Sequence, residues 1–157
     1  SGRDGLQPIV LPSDEDSARI YMRNATDLPD STLFETWTND AGKSWAPVVR
    51  SDLPNPNAAV TGLRLDDGGM LLVLNNQHDK RNNLSLVFSE NEGKSWQLLH
   101  ELEQEENTPE FEHQFAYPAV RQSVDGDFHV LYTWNKERIK HVRFNAQWLQ
   151  ERLETLK

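Results

Sequence analysis

Apolar and polar residues alternate with a period of two in eleven short stretches, separated by clusters rich in Gly, Asp, Asn and Pro. That period places successive side chains on opposite faces of an extended chain, so each stretch predicts a half-buried β-strand. The strands fall into three groups. The first has strands near Gln7 to Leu11, Arg19 to Arg23, Thr32 to Thr38 and Pro47 to Arg50, with an acidic turn at Ser13 to Asp16 and an Asp-Leu-Pro-Asp loop at Asp27 to Asp30. In the second, Val60 to Leu65 and Met70 to Asn75 flank Asp66-Asp67-Gly68-Gly69, whose Asp-Gly pair supplies the positive φ of a tight hairpin. Leu84 to Ser89 and Gln97 to Leu102 complete it.

The third group runs Tyr117 to Gln122, an Asp125-Gly126 hairpin, Phe128 to Trp134, and Ile139 to Phe144. A helix is expected after it. Asn145 can accept from free amides at a helix start, and Trp148, Leu149, Leu153 and Leu156 then share one face, predicted to pack on the third group. Between groups two and three, six of the twelve residues from Glu101 to Glu112 are Glu. This segment reads as a solvated acidic loop, or else as the rim of a ligand cleft.

An eight-residue turn occurs twice, fifty-one residues apart, as Thr38-Asn39-Asp40-Ala41-Gly42-Lys43-Ser44-Trp45 and Ser89-Glu90-Asn91-Glu92-Gly93-Lys94-Ser95-Trp96. A repeat of about 40 to 50 residues is what a four-stranded propeller blade needs, because one small sheet cannot bury both faces until neighbours stack on it. In the turn, the Asp or Asn accepts backbone N–H bonds, the Gly takes a conformation costly to other residues, and the Trp folds back onto the sheet. The turn resembles the Asp-box, or bacterial neuraminidase (BNR) repeat, of the sialidase superfamily. Asp40 matches the residue that names the motif, and Asn91 departs from it. Leu53-Pro54-Asn55-Pro56-Asn57-Ala58, Tyr117-Pro118-Ala119-Val120 and Tyr132-Thr133-Trp134 through Ile139-Lys140-His141 also look like the C-terminal half of sialidase-like domains.

The expected fold is therefore all-β, about three four-stranded antiparallel blades making half of a six-bladed propeller, with a short C-terminal helix. The blades are placed at approximately 5–52, 53–104 and 112–144, with the helix at 145–157, in one partial domain spanning 1–157. A chain that begins Ser-Gly and enters a strand-like run at once reads as a cut inside a longer protein or a cleaved tag. A half-ring exposes two apolar flanks, so a homodimer or an N-terminal half is expected to complete it.

Composition narrows the partners. With a formal charge of −9 and acidic groups dispersed among basic ones, the 157 residues argue against nucleic acid or an anionic membrane surface. No stretch approaches the roughly 18 apolar residues of a membrane span. The chain has no cysteine, and its five histidines lack ligand spacing, so no metal or other cofactor is expected. The compartment stays open, a secreted or periplasmic address with its signal outside this segment included.

The resemblance also implies a chemistry. Sialidases hold the substrate carboxylate with three arginines and use a Tyr nucleophile polarised by a Glu, with an Asp as acid/base, unlike the two-carboxylate glycosidase scheme. A neutral phenol suits an anionic substrate, and planar guanidinium forks grip a carboxylate at two points. By position, Tyr117 stands where the nucleophile belongs, Arg23 where the second arginine does and Arg81 where the third does. The first arginine and the acid/base Asp belong to the other half. The glutamate's place is taken by Leu6-Gln7-Pro8; Gln7 can orient a hydroxyl or bind a sugar oxygen, but it cannot take a proton.

Three readings follow. The first is part of a sialidase-like hydrolase acting on a terminal acidic sugar, inactive alone. The second is a non-catalytic glycan- or protein-binding propeller. The third is a lyase-type propeller in which His113 works with Tyr117. Each candidate also has a structural role open to it: Arg23 paired with Asp27 or Asp30, Arg81 in a polar loop, His113 and His78 as loop histidines, and Trp134 as packing.

Overall fold

The computed structural model describes residues 4–26 and 28–156. It is all-β apart from one helix, with every strand pair antiparallel. The first sheet is β1 (Gly5–Pro12), β2 (Ala18–Asn24), β3 (Thr32–Thr38) and β4 (Val49–Pro54), in that spatial order. The second is β5 (Thr61–Arg64), β6 (Met70–Leu74), β7 (Asn83–Ser89) and β8 (Gln97–Gln104), again in chain order. The third has three strands rather than four: β9 (Phe115–Gln122), β10 (Phe128–Trp134) and β11 (Arg138–Phe144). After β11 the chain turns at once into α1 (Ala146–Glu154), capped by Asn145 accepting from the Trp148 N–H at 2.8 Å.

The first strands lie side by side across sheets, β1 against β5 and β5 against β9, and so define an axis from which the sheets radiate. Two cores fill the wedges. Leu11, Tyr21, Leu33 and Leu53 of the first sheet meet Met70, Leu72, Leu74 and Val87 of the second. The opposite side of the second sheet, with Leu71, Val73, Leu84, Leu86 and Phe88, meets Phe115, Val120, Phe128, Val130 and Tyr132 of the third. The second sheet is buried on both faces, which is why β6 and β7 are apolar or buried throughout instead of alternating cleanly.

Three expectations need correction. The fourth strand lies at Val49–Pro54, later than Pro47 to Arg50. The Asp-box corner extends through Ala46, whose N–H donates to the Trp37 carbonyl and whose own carbonyl accepts from the Thr36 hydroxyl. The helix does not rest on the third sheet alone: Trp148 packs on Phe144 of β11 and edge-on to His100 of β8, so α1 bridges two blades. The acidic run is only partly solvated. Glu101 accepts from the Ser85 hydroxyl at 2.7 Å, and the Glu103 carboxylate accepts from the Tyr132 hydroxyl and the Lys140 ammonium across the blade boundary.

Both Asp-box corners are built as their residue types dictate. The Asp40 carboxylate accepts from the Ser44 N–H at 2.9 Å, the Thr38 hydroxyl at 2.8 Å and the Ser44 hydroxyl at 2.6 Å. These bonds, led by the Ser44 hydroxyl, hold its pKa down to about 2. Asn91 keeps the same backbone bond, from the Ser95 N–H at 2.9 Å, but its amide donates to the Ser95 hydroxyl where Asp40 accepts. Gly42 and Gly93 both have φ +80°, which meets the need for glycine at the corner. Among the described residues, no helix is long and apolar enough to cross a membrane.

Candidate functional site

Antiparallel order sorts the loops by edge. The links from second to third strands, and from each sheet to the next, leave one edge of the array, whereas the Asp-box corners leave the other. Arg23 near the end of β2, Asn57 between β4 and β5, and Arg81 between β6 and β7 therefore share the first edge with the starts of β1 and β9.

Gln7 and Tyr117 occupy the same structural position in two sheets. In β1 the pairing jumps from Leu6↔Arg23 to Ile9↔Tyr21, and in β9 from Ala116↔Thr133 to Ala119↔Leu131. Each jump is a β-bulge holding an X-Pro dipeptide, Gln7-Pro8 or Tyr117-Pro118. The two X residues take left-handed φ of 48° and 53°, unusual for side-chain-bearing residues and concentrated at functional positions. Tyr117 is 55% exposed between buried Ala116 and Pro118, and the alternation of β9 breaks just before it, where Phe115 and Ala116 are both buried.

Asn57 joins the two arginines. Arg23 Nε donates to Asn57 Oδ1 at 2.6 Å and another of its nitrogens donates to Gln7 Oε1 at 3.0 Å, while Arg81 donates to the Asn57 carbonyl. Two guanidinium groups from different blades thus meet on one residue, itself at φ 53°. Arg23 keeps further N–H groups beyond these two bonds. The link to Tyr117 runs through backbone: the Phe115 N–H donates to the Arg81 carbonyl at 2.7 Å, and fully buried Asn75 donates to the Phe115 carbonyl at 2.9 Å.

The structure therefore brings Gln7, Arg23 and Arg81 into one network and places Tyr117 two residues along the strand that Arg81 braces. Arg23 makes no ion pair with Asp30 among the described residues, and Asp27 lies outside them. His113 stands apart. Its N–H donates to Asn107 Oδ1 at 2.8 Å, its Nδ1 lies 3.3 Å from the Asn135 amide, and its ring stacks toward Phe115. Trp134 is partly buried under the Arg138 guanidinium, 4.2 Å from the ring centre. His78 Nδ1 lies 2.9 Å from the Ser31 carbonyl, on the wall of a cavity of about 400 Å3 that Asn57, Pro56, Leu28 and Asp79 also line.

Sequence reasoning missed Asn57, whose only signal was its place in Pro54-Asn55-Pro56-Asn57 between two strands. The acidic run does border a groove of about 700 Å3, as its second reading expected, and Asn76, Gln77, Asn82 and Asn83 form the rest of the lining. Among the described residues no cluster of His, Asp and Glu could hold a metal ion. None of their carboxylates hydrogen-bonds to Tyr117.

The model of the BNR repeat-like domain matches residues 1–130. This chain belongs to the BNR repeat-like domain family. No curated protein matches it. Among solved structures, this BNR repeat-like chain is similar to a Hadza microbial sialidase at 14% identity and TM-score 0.71, covering 92% of this chain and 28% of that one. It is similar to the NanB sialidase of Streptococcus pneumoniae at 15% identity and TM-score 0.64, covering 90% and 23%. The alpha-L-arabinanase of Penicillium chrysogenum follows the same path at 14% identity and TM-score 0.66, covering 91% and 46%. The chain thus spans about a quarter of the sialidases and under half of the arabinanase. Its sheets are blades of a sialidase-like β-propeller, a fold shared by carbohydrate-processing enzymes.

Proposed function

We propose that this chain is the C-terminal part of a sialidase-like glycoside hydrolase that recognises a terminal acidic sugar at the edge holding Arg23, Arg81, Gln7 and Tyr117. The convergence of Arg23 and Arg81 on Asn57 carries this reading. Two cations held by a neutral residue leave a local positive charge, suited to a carboxylate, on a chain that is acidic overall. In this reading Tyr117 sits at the reacting centre and Gln7 binds a sugar oxygen through its free amide N–H groups, while His113, held apart by Asn107 and Asn135, takes no part. The acid/base group comes from outside the chain, as does the rest of the ring, whether from a second copy or from an N-terminal half.

Calorimetry on this chain with sialic acid and glucuronate, against neutral glucose, tests recognition. Only the acids should bind, and Arg23→Ala or Arg81→Ala should weaken them roughly 10- to 100-fold, the loss of a charge-assisted bond of about 1.5–3 kcal/mol. Equal binding of glucose would refute it. Release of the aryl group from an aryl sialoside or uronoside by the completed propeller tests turnover, which Tyr117→Phe should abolish. A second reading, binding without turnover, is favoured by Gln7. Its Oε1 is held by Arg23 and it offers no proton acceptor for a phenol. Acid-selective binding with no release in any assembly would select it.

A further inference from the structure

Each blade has one face toward the blade before it and one toward the blade after, and the onward faces differ in a way that tracks what packs on them. On the first blade, Arg19 and Glu35 form an ion pair of 2.9 Å. Arg19 Nε donates to the Glu92 carbonyl at 3.0 Å, the Tyr21 hydroxyl donates to the Gly93 carbonyl at 3.3 Å, and Trp96 packs edge-on to Tyr21 with centroids 5.6 Å apart. The second Asp-box corner is seated there so closely that a Cβ on Gly93 would collide with Tyr21 and Arg19. On the second blade the register-matched positions are Leu71, Val73 and Leu86, and the third blade packed on them has no Asp-box. A polar pair accompanies a corner; an apolar trio accompanies none.

The third blade returns to the first pattern on a face that nothing among the described residues covers. Counting from the five-residue hairpins, His129 and His141 stand where Arg19 and Glu35 do, and Leu131 where Tyr21 does. His129 Nδ1 lies 2.9 Å from His141 Nε2 with the rings stacked, and Leu131 is 43% exposed. The first Asp-box corner is the reverse case, a corner without a seat. Gly42 is exposed, a Cβ there would meet only Trp45, and Trp45 is 42% exposed. Charge runs the same way. Acidic Asp14-Glu15-Asp16 adjoins this corner through the Ala41 N–H donating to the Asp16 carbonyl at 2.7 Å, and basic Arg121 stands opposite His129 in the strand register of the open face.

We propose that the open face around His129, His141 and Leu131 seats the Thr38–Trp45 corner of a second copy of this chain. The proposal rests on the reading of the chain as half a ring: two copies about a two-fold axis give each corner a seat, and leave the apolar face of each second blade to the third blade already packed on it. When His141 Nε2–H donates to His129 Nδ1, the His129 Nε2–H is left to donate to the Ala41 carbonyl, as Arg19 does to Glu92. Trp45 then packs on Leu131.

Sedimentation at micromolar concentration should give twice the 18.1 kDa of one chain. Leu131→Asp, at an exposed position, should return the mass to one chain with an unchanged circular dichroism spectrum. The chain has no cysteine, so oxidising the double variant Ala41→Cys/His129→Cys should trap a covalent dimer that neither single variant forms. A one-chain mass for the unmodified protein would overturn the proposal. So would a dimer that Leu131→Asp leaves intact and the cysteine pair fails to trap. Because Arg23, Arg81 and Tyr117 leave the opposite edge, acid-selective sugar binding by the Leu131→Asp protein distinguishes failure of this contact from failure of the functional reading.

Discussion

Glu103 ties the second blade to the third, and its removal has a cost that can be worked from its two partners. Tyr132 is 1% exposed and its hydroxyl donates to the Glu103 carboxylate, which also receives the Lys140 ammonium. Glu103→Ala leaves a buried hydroxyl without an acceptor, at about 1–3 kcal/mol. The Lys140 side chain is 43% exposed, so its loss adds no more than about 1 kcal/mol. The sum, roughly 1–4 kcal/mol, corresponds to a fall in melting temperature of up to about 10 °C for a chain of this length. Glu103→Gln keeps an acceptor and should cost about 1 kcal/mol. Urea titration of Glu103→Ala, Tyr132→Phe and the double variant closes a mutant cycle, in which Glu103→Ala should cost under about 1 kcal/mol once Tyr132 is Phe. The pH dependence has a definite sign. Burial, and then Glu103, push the Tyr132 phenol above its ordinary value of 10.0. Its folded pKa being raised, the stability it contributes is complete below pH 10 and is lost as pH climbs beyond it. Equal cost of Glu103→Ala in both backgrounds would refute the clamp.

The Asp40 corner should respond to acid. Its pKa is held down to about 2 by the Ser44 and Thr38 bonds, so its contribution is present above about 3.8 and disappears as pH falls through 2. Thermal melts between pH 5 and 2 should show that loss, and Asp40→Asn should flatten it. Gly62→Ala should destabilise by about 1–3 kcal/mol through overpacking alone, since a Cβ there would collide with Leu72 and the Leu71 carbonyl while the backbone is ordinary. Gly126→Ala, at φ +89° in open space, should cost about 1 kcal/mol through conformation alone. Urea midpoints that failed to rank the two variants in this order would contradict the packing described.

The architecture was legible in the sequence because local patterns decide it: period-two alternation marked the strands, Asp-Gly pairs marked hairpins, and the duplicated corner set the blade spacing. Val49–Pro54 was misplaced because only Ser51 and Leu53 are buried along it, too few for alternation to show. Glu103 looked solvated because its partners lie 29 and 37 residues away, and nothing near it in sequence announces them. The candidate site was legible in part. Arg23, Arg81, Gln7 and Tyr117 could be chosen by position, but their junction at Asn57 depends on the angle between blades. The left-handed bulges at Gln7 and Tyr117 had one faint trace, the X-Pro dipeptide shared by β1 and β9.

Those two bulges have an evolutionary consequence. A residue exposed at such a bulge contributes little to the wedge-shaped cores, so its identity is released from packing and left to whatever the rim must hold. Glutamine in one blade and tyrosine in another, on identical backbone, are that freedom made visible. The inner strands β1 and β9 each offer such a socket, and new specificity can arise there by single substitutions while the sheets beneath keep their shape.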